Sequence, residues 1–275
     1  MIQEPIHPLT AGENYHVYTK SIAGFEIFQH NSDYLRMLQL IRFFQYNHHA
    51  YRFSKYLELK EVQTFGFHKV FSHHFADHKK NIQIIAYCLM PTHLHLILSP
   101  HSNRAIAKFM NDILNSYTRY FNLVHNRKGP LWQSRYKWVH VTKDEQLLHL
   151  TRYLHLNPVT ARLVNHPGDW PASSYLEYLY HENIPVEDAI CEFKDVLKIE
   201  PKRYQSFVEN RISAQRELAK IKKVIFAEKK GHRRGGRQRW ARPEADGLKG
   251  GRSRSSSGLK MRKHSPKHLP NGSTI

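Results

Sequence analysis

YCLMPTHLHLIL, residues Tyr87–Leu98, is the stretch that decides the predicted fold. Two apolar runs, Ile82–Leu89 and Leu94–Leu98, flank a Met-Pro-Thr turn, which is typical of two strands that lie side by side. Alternate residues of a strand face the same side, so His93 and His95 project from one face. The stretch therefore predicts an adjacent strand pair that carries two imidazoles.

The segments on either side of this pair predict further strands and helices. Strand-like composition or helical spacing of apolar residues occurs, in chain order, at Tyr15–Ile22 (strand), Tyr34–Gln45 (helix), Leu57–His74 (weak helix), Ile106–Val124 (helix) and Tyr136–Val141 (strand). A last helix is expected from Glu145, capped by Asp144, to about Leu156, because Pro158 disfavours helical geometry at the preceding residue. The order predicts an α+β fold with a ferredoxin-like antiparallel sheet and added C-terminal helices.

The chain is strongly basic, and most of its charge lies near the C-terminus. Its 275 residues contain 42 Lys and Arg against 23 Asp and Glu, which gives a formal charge of +19. Such a charge favours a polyanionic partner, above all nucleic acid. We expect a catalytic domain at 1–180, a helical extension at 181–230 and a disordered basic tail at 231–275. The tail either binds phosphates nonspecifically or only solubilises the chain.

The cysteine content and the absence of a long apolar run indicate the compartment. Cys88 and Cys191 lack CxxC spacing, which argues against a disulfide framework or a zinc ribbon. No apolar stretch approaches the roughly 20 residues that a spanning helix needs. We therefore expect a cytoplasmic, nucleoid-associated protein without a membrane partner.

The imidazoles of His93 and His95 are candidate metal ligands. Two histidines on one strand face can chelate a divalent cation, whereas a core rarely accepts two polar rings without a partner. The chain holds 21 histidines, however. A His-x-His pattern can thus arise by chance, and the pair alone leaves metal binding open.

Four stretches in sequence order resemble the single-tyrosine HUH transposases. The first is the His-hydrophobic-His pair after its Met-Pro turn. The others are SYTRYFNLVHNRKGPLWQSRYKWVHV (Ser116–Val141), LLHLTRYLHLNPVTARLV (Leu147–Val164) and DWPASSYLEY (Asp169–Tyr178). The resemblance runs from about Tyr15 to Tyr180 and is nearest to the REP-associated tyrosine transposase branch of the IS200-like domains.

The resemblance implies Tyr153 as the nucleophile and Asn157 as a third metal ligand beside His93 and His95. It also implies Mg²⁺ or Mn²⁺ as cofactor, a 5′-phosphotyrosine intermediate and a liberated 3′-hydroxyl. On a helix, Tyr153 and Asn157 would share a face, although the following proline leaves this geometry open. Without the resemblance, Tyr153 would be an ordinary amphipathic-helix tyrosine, and Tyr117 is a competing nucleophile.

A mixture of cations and aromatic rings between the second long helix and the last strand predicts the DNA-binding surface. Cations can hold phosphates while aromatic faces stack unpaired bases. The candidates are Arg119, Arg127, Lys128, Trp132, Arg135 and Lys137, with Arg152 on the last helix. Trp132, beside a Gly-Pro turn, is expected to be the more exposed ring, whereas Tyr120, Phe121 and Tyr136 can equally belong to the core.

The leading functional hypothesis is an enzyme that cleaves and rejoins single-stranded DNA, at ends that form hairpins. A second is a non-catalytic regulator that binds DNA or RNA hairpins with the same fold. A third is a rolling-circle replication initiator or plasmid relaxase, which shares the chemistry. A homodimer is compatible with each of them.

Overall fold

Four antiparallel strands form the sheet of this computed structural model, which describes residues 9–47, 50–185 and 189–217. The strands are β1 (Asn14–Lys20), β2 (Ile82–Met90), β3 (His93–Pro100) and β4 (Lys137–Val141). They lie in the order β2-β3-β1-β4, and each neighbouring pair is antiparallel. This is the strand order of a ferredoxin-like sheet, so the predicted α+β class is confirmed.

Eight α-helices lie wholly within the described residues, and a further helical run covers residues 212–217. They are α1 (Asn31–Phe43), α2 (Phe53–Leu57), α3 (Lys60–Phe65), α4 (Phe67–His74), α5 (Ala105–Val124), α6 (Asp144–Thr160), α7 (Tyr175–Tyr180) and α8 (Pro201–Glu209). The weak helix predicted at Leu57–His74 is divided into separate pieces. Gly66, between α3 and α4, has a φ of 86°, a value that non-glycine residues rarely adopt and that ends one helix before the next begins.

The two faces of the sheet differ in how completely they are covered. Tyr15, Val17 and Leu96 share one face and are buried. Helix α5 lies on this face of the sheet, beside Trp138. The ring of Trp138 contacts that of Tyr15 edge to face. On the other face α6 approaches from the β2 side, and Val139 of β4 stays exposed. The β1–β4 half of this second face is therefore open to a ligand.

Helix α6 is longer than the sequence predicted. It begins at Asp144 with Lys143 as its cap, and it continues through Pro158 to Thr160. The predicted cap at Asp144 and the predicted end near Leu156 are thus wrong. Leu156, Pro158 and its neighbour Val159 are buried, and this apolar packing offsets the backbone hydrogen bond that a proline cannot make.

The predicted C-terminal extension contains α8, which packs against α6 and α7. Nearby, the backbone N–H of Glu192 donates to the carbonyl of Ile84 on β2, at 2.8 Å. The boundary at residue 180 stays a prediction, and the tail at 231–275 lies outside the described residues. Among the residues that the structure does describe, no helix is both long and apolar enough to cross a membrane.

Candidate active site

The predicted histidine pair lies on β3, on the less covered face of the sheet. The ring centroids of His93 and His95 are 5.1 Å apart, and the rings are nearly perpendicular. His95 is 7% exposed, whereas His93 is half-buried. Strand alternation therefore brings the two imidazoles together as predicted.

Strand β1 adds a third imidazole that the sequence analysis did not single out. His16 Nε2 and His95 Nδ1 are joined by a hydrogen bond of 2.9 Å, and the two rings are stacked. Tyr18, two residues along β1, stacks on both His16 and His95. The alternation of His16, Tyr18 and Lys20 in a strand-like segment was the available signal, because it places all three on one face.

In the described part of the chain, Nε2 of both His93 and His95 has no hydrogen-bond partner. His93 uses its Nδ1 to contact Thr92 Oγ1 at 3.0 Å, and His95 uses its Nδ1 to contact His16. Metal-ligating histidines usually donate one ring N–H to such a partner while the other nitrogen holds the ion. The bonding pattern therefore fits coordination of a divalent cation through Nε2 of both histidines.

All three imidazoles are held neutral, the form in which they can bind a metal. Burial lowers the pKa of His95 to about 2, together with smaller contributions from the charges of His16, His93 and Lys20. Burial lowers the pKa of His16 and of His93 to about 4, with Lys20 adding to the effect at His93. Lys20 lies directly opposite His93 in the strand register. A fixed cation thus stands beside the candidate metal site.

Helix α6 brings Tyr153 and Asn157 to this site. The ring of Tyr153 meets that of His95 edge to face, with centroids 6.0 Å apart, and Tyr153 is 44% exposed. Asn157 Nδ2 is buried without a hydrogen-bond partner in the described part of the chain. Such an atom is costly to leave unpaired, so an amide here is consistent with a role toward a ligand.

Two features of its surroundings shift the pKa of Tyr153 in opposite directions. Burial raises the pKa of Tyr153, and the neighbouring side-chain amide of Asn157 opposes that rise. The described residues contain no cluster of three His, Cys, Asp or Glu that could hold a metal. Coordination would therefore rest on two imidazoles and the amide oxygen of Asn157. Three ligands do not close a structural zinc site, and the amide oxygen suits Mg²⁺ or Mn²⁺.

Tyr117, the competing nucleophile, and His155 of α6 are buried away from this opening. Tyr117 is fully buried, and its hydroxyl donates to the carbonyl of Ile27. It cannot meet a phosphodiester without a rearrangement of the core. His155 is fully buried, and its Nε2 lies 2.8 Å from Ser174 Oγ, so this ring belongs to the core.

The predicted DNA-binding residues do not form one surface. Lys137 lies on β4 opposite Tyr18, on the face of the histidines. Arg135 and Trp132 line a cavity of about 670 Å³ between α5 and the β4 edge, together with Trp138. Trp132 is half-buried rather than freely exposed, because its Nε1 donates to Thr118 Oγ1 at 3.0 Å.

The remaining candidates lie elsewhere. Arg127 donates to the carbonyl of Pro130 and covers the ring of Phe25, so it braces its own turn. Arg152 lies over Phe207 of α8, 4.0 Å from the ring centroid. Arg119 and Lys128 are exposed. DNA contact by these four residues stays a prediction.

Comparison with known proteins gives three similarities. Residues 59–157 match the family described as Transposase IS200 like. A Haemophilus influenzae protein described as a REP-associated tyrosine transposase is 30% identical over 105 residues, which are 34% of this chain and 58% of that protein. A solved structure of a REP-associated tyrosine transposase bound to a REP hairpin matches with a TM-score of 0.45 and 15% identity, over 70% of this chain and 93% of the other.

Proposed function

Because residues 59–157 carry the similarity to IS200-like transposases, we propose that this protein cleaves and rejoins single-stranded DNA, with Tyr153 as nucleophile. The observation that carries the proposal is the meeting of α6 and β3. Tyr153 is accessible and its ring contacts that of His95, whose hydrogen bond with His16 suits a metal-binding imidazole. The chain spans 58% of the length of the curated relative that it matches.

In the proposed reaction Tyr153 Oη attacks the scissile phosphorus. An O–P bond to tyrosine forms, the P–O3′ bond breaks, and the 3′ oxygen takes up a proton. The tyrosine proton passes to water, which reaches the partly exposed phenol. The phosphotyrosine keeps the energy of the broken bond, so a 3′-hydroxyl can later reverse the step and reseal DNA.

His93, His95 and Asn157 would hold a divalent cation, Mg²⁺ or Mn²⁺. When bound, this ion polarises a nonbridging phosphate oxygen. The side-chain amide of Asn157 also favours the phenolate of Tyr153, because it acts to lower the pKa of that phenol. Lys20, opposite His93, is placed to attract the phosphate that approaches the histidines.

The substrate in this proposal is a single strand that follows a DNA hairpin. Lys137, on the open half of the sheet face, would contact the backbone near the catalytic centre. Trp132, Arg135 and Trp138 line a cavity that suits an unpaired base, since aromatic faces stack on bases of any sequence. The strand would pass around the edge of β4 between these two places.

Covalent trapping tests the assignment of the nucleophile. The full-length protein is incubated with Mn²⁺ and a hairpin oligonucleotide labelled on the 3′ side of the expected cut, and adducts are resolved under denaturing conditions. We expect a labelled adduct with the wild-type protein and a loss of at least a hundredfold with Tyr153→Phe. Addition of a chelator should also prevent the adduct.

Tyr180→Phe is the matched control, because Tyr180 is also exposed and lies outside the site. It should form the adduct like the wild-type protein. An undiminished adduct in Tyr153→Phe would refute the nucleophile. DNA binding without any adduct across hairpin sequences and both metals would favour the non-catalytic regulator.

A further inference from the structure

A second cleft lies near the opposite end of β3 from His93. Its volume is about 1320 Å³, and it lies between α4 and the segment that leads into β2. Its lining includes Phe65, Lys69, Lys79, Lys80 and His101, and His101 follows the last residue of β3. At about 3.3 Å per residue, the strand puts roughly 25 Å between His93 and this cleft.

The charge of the cleft is strongly biased toward cations. Lys69 and Lys79 are exposed, and the lining contains four further histidines or lysines beyond these two, among them His78 and His101. Glu192 is the acidic residue of this lining, and it is paired with Lys80. Two exposed ammonium groups with no described acid in the lining left to neutralise them favour an anionic ligand.

Aromatic rings lie beside these cations. Phe65 is 61% exposed, an unusual state for a phenylalanine. Lys69 Nζ lies 5.6 Å from the centroid of its ring. Across the cleft, Lys80 Nζ lies 6.0 Å from the ring centroid of Tyr46. Cations beside an exposed aromatic ring suit single-stranded nucleic acid, which is bound through phosphate contacts and base stacking together.

We propose that this cleft binds single-stranded DNA at a distance from the catalytic centre. This inference rests on the proposed function, because it assigns the cleft to a more distant part of the same substrate. The volume exceeds that of a lone phosphate many times, and an acidic peptide would leave the exposed face of Phe65 unused. Lys69 and Lys79 contact the backbone, while Phe65 stacks on a base.

Binding of fluorescent dT20 to the full-length protein tests the cleft separately from catalysis. Fluorescence anisotropy is measured over a series of salt concentrations. The Lys69→Ala/Lys79→Ala variant should bind on the order of tenfold more weakly at low salt, and its plot of log K against log salt should be shallower by about 1.4, since each single-strand phosphate contact contributes about 0.7. Phe65→Ala should bind about fivefold more weakly or worse, and Phe65→Tyr should restore binding.

Lys55→Ala is the control, because Lys55 lies on α2, is exposed and is not part of the cleft lining. It should change neither the affinity nor the slope. Unchanged dT20 binding in both cleft variants, with measurable binding by the wild-type protein, would overturn the proposal. Covalent trapping at Tyr153 does not depend on the result of this binding assay. The two experiments can therefore contradict the cleft proposal and the proposed function separately.

Discussion

At the residue scale, His16 determines how His95 presents its ring. The hydrogen bond between His16 and His95 Nδ1 holds the imidazole so that Nε2 is left for a ligand. Partners of this kind orient metal-binding histidines and raise their basicity. His16→Ala should therefore weaken Mn²⁺ binding by about ten- to a hundredfold. Isothermal titration calorimetry of the full-length protein measures this directly, without DNA.

His140→Ala provides the comparison for that measurement. His140 lies on β4 and stacks on Tyr15, on the other face of the sheet. Its loss should leave Mn²⁺ affinity within about twofold of the wild-type value. If His16→Ala binds Mn²⁺ as tightly as His140→Ala does, His16 has no part in the metal site.

The sequence predicted part of this site because strand periodicity is local information. His93 and His95 share a face in any strand, so their proximity followed from two-residue spacing. His16 reaches them from another strand, and its partner depends on the β1–β3 register, which no local pattern specifies. The buried amide of Asn157 likewise required knowing which sheet face α6 covers.

At the element scale, a buried polar network holds α6 against the C-terminal part of the chain. Tyr204 of α8 donates to Thr151 Oγ1 at 3.0 Å, and Thr151 in turn donates to the carbonyl of Leu148. The Tyr204 hydroxyl also forms a hydrogen bond of 2.6 Å with His155 Nδ1. Burial lowers the pKa of His155 to about 3, so the ring is neutral. This chain of hydrogen bonds fixes the helix that carries Tyr153.

Tyr204→Phe should lower the free energy of unfolding by about 1–3 kcal/mol. The substitution keeps the ring but removes the hydroxyl that His155 Nδ1 and Thr151 Oγ1 contact, so these buried atoms lose a hydrogen bond that water does not replace. Urea denaturation followed by circular dichroism measures the change. Tyr180→Phe, at an exposed position, should stay within about 0.5 kcal/mol of the wild-type protein. Equal stabilities of the two variants would show that the network does not stabilise the fold.

The elements themselves were predictable where apolar periodicity was strong. Helix α5 and strands β2 and β3 lie close to their predicted bounds. The end of α6 was not predictable from the sequence. A residue before a proline only disfavours helical geometry, and the burial of Leu156 and Val159 outweighs that preference. Helix α8 carries no distinctive motif, and only its packing on α6 and α7 reveals its role.

At the scale of the whole molecule, acidic residues are few, and one of them joins two layers of the fold. Asp33 is fully buried and accepts from the backbone N–H groups of Gln29 and His30, each at 3.0 Å, at the start of α1. It also accepts from the hydroxyl of Tyr120, which lies on α5, and contacts Nε2 of His125, the residue that follows α5. Asp33 therefore joins α1 to α5 and to the residue that follows it.

The pH dependence of stability follows from this arrangement. Burial acts to raise the pKa of Asp33, but the hydrogen bonds from His125 and from the backbone outweigh it, so the pKa in the folded protein is lowered. A carboxyl group with a lowered pKa stabilises the fold above its unfolded value, about 3.9 for aspartate, and this contribution is lost as the pH falls through the folded value.

Asp33→Asn should consequently destabilise the protein at pH 7 by about 2 kcal/mol, since hydrogen bonds to a charged group are lost. The difference from the wild-type protein should shrink as the pH falls below about 4, because the wild-type carboxylate becomes protonated there. Urea denaturation between pH 7 and pH 3 measures both stabilities. Asp112→Asn, which removes the surface partner of Lys108, should cost no more than about 0.5 kcal/mol at pH 7. A difference for Asp33→Asn that stays constant from pH 7 to pH 3 would show that its effect arises from packing and not from the carboxylate charge.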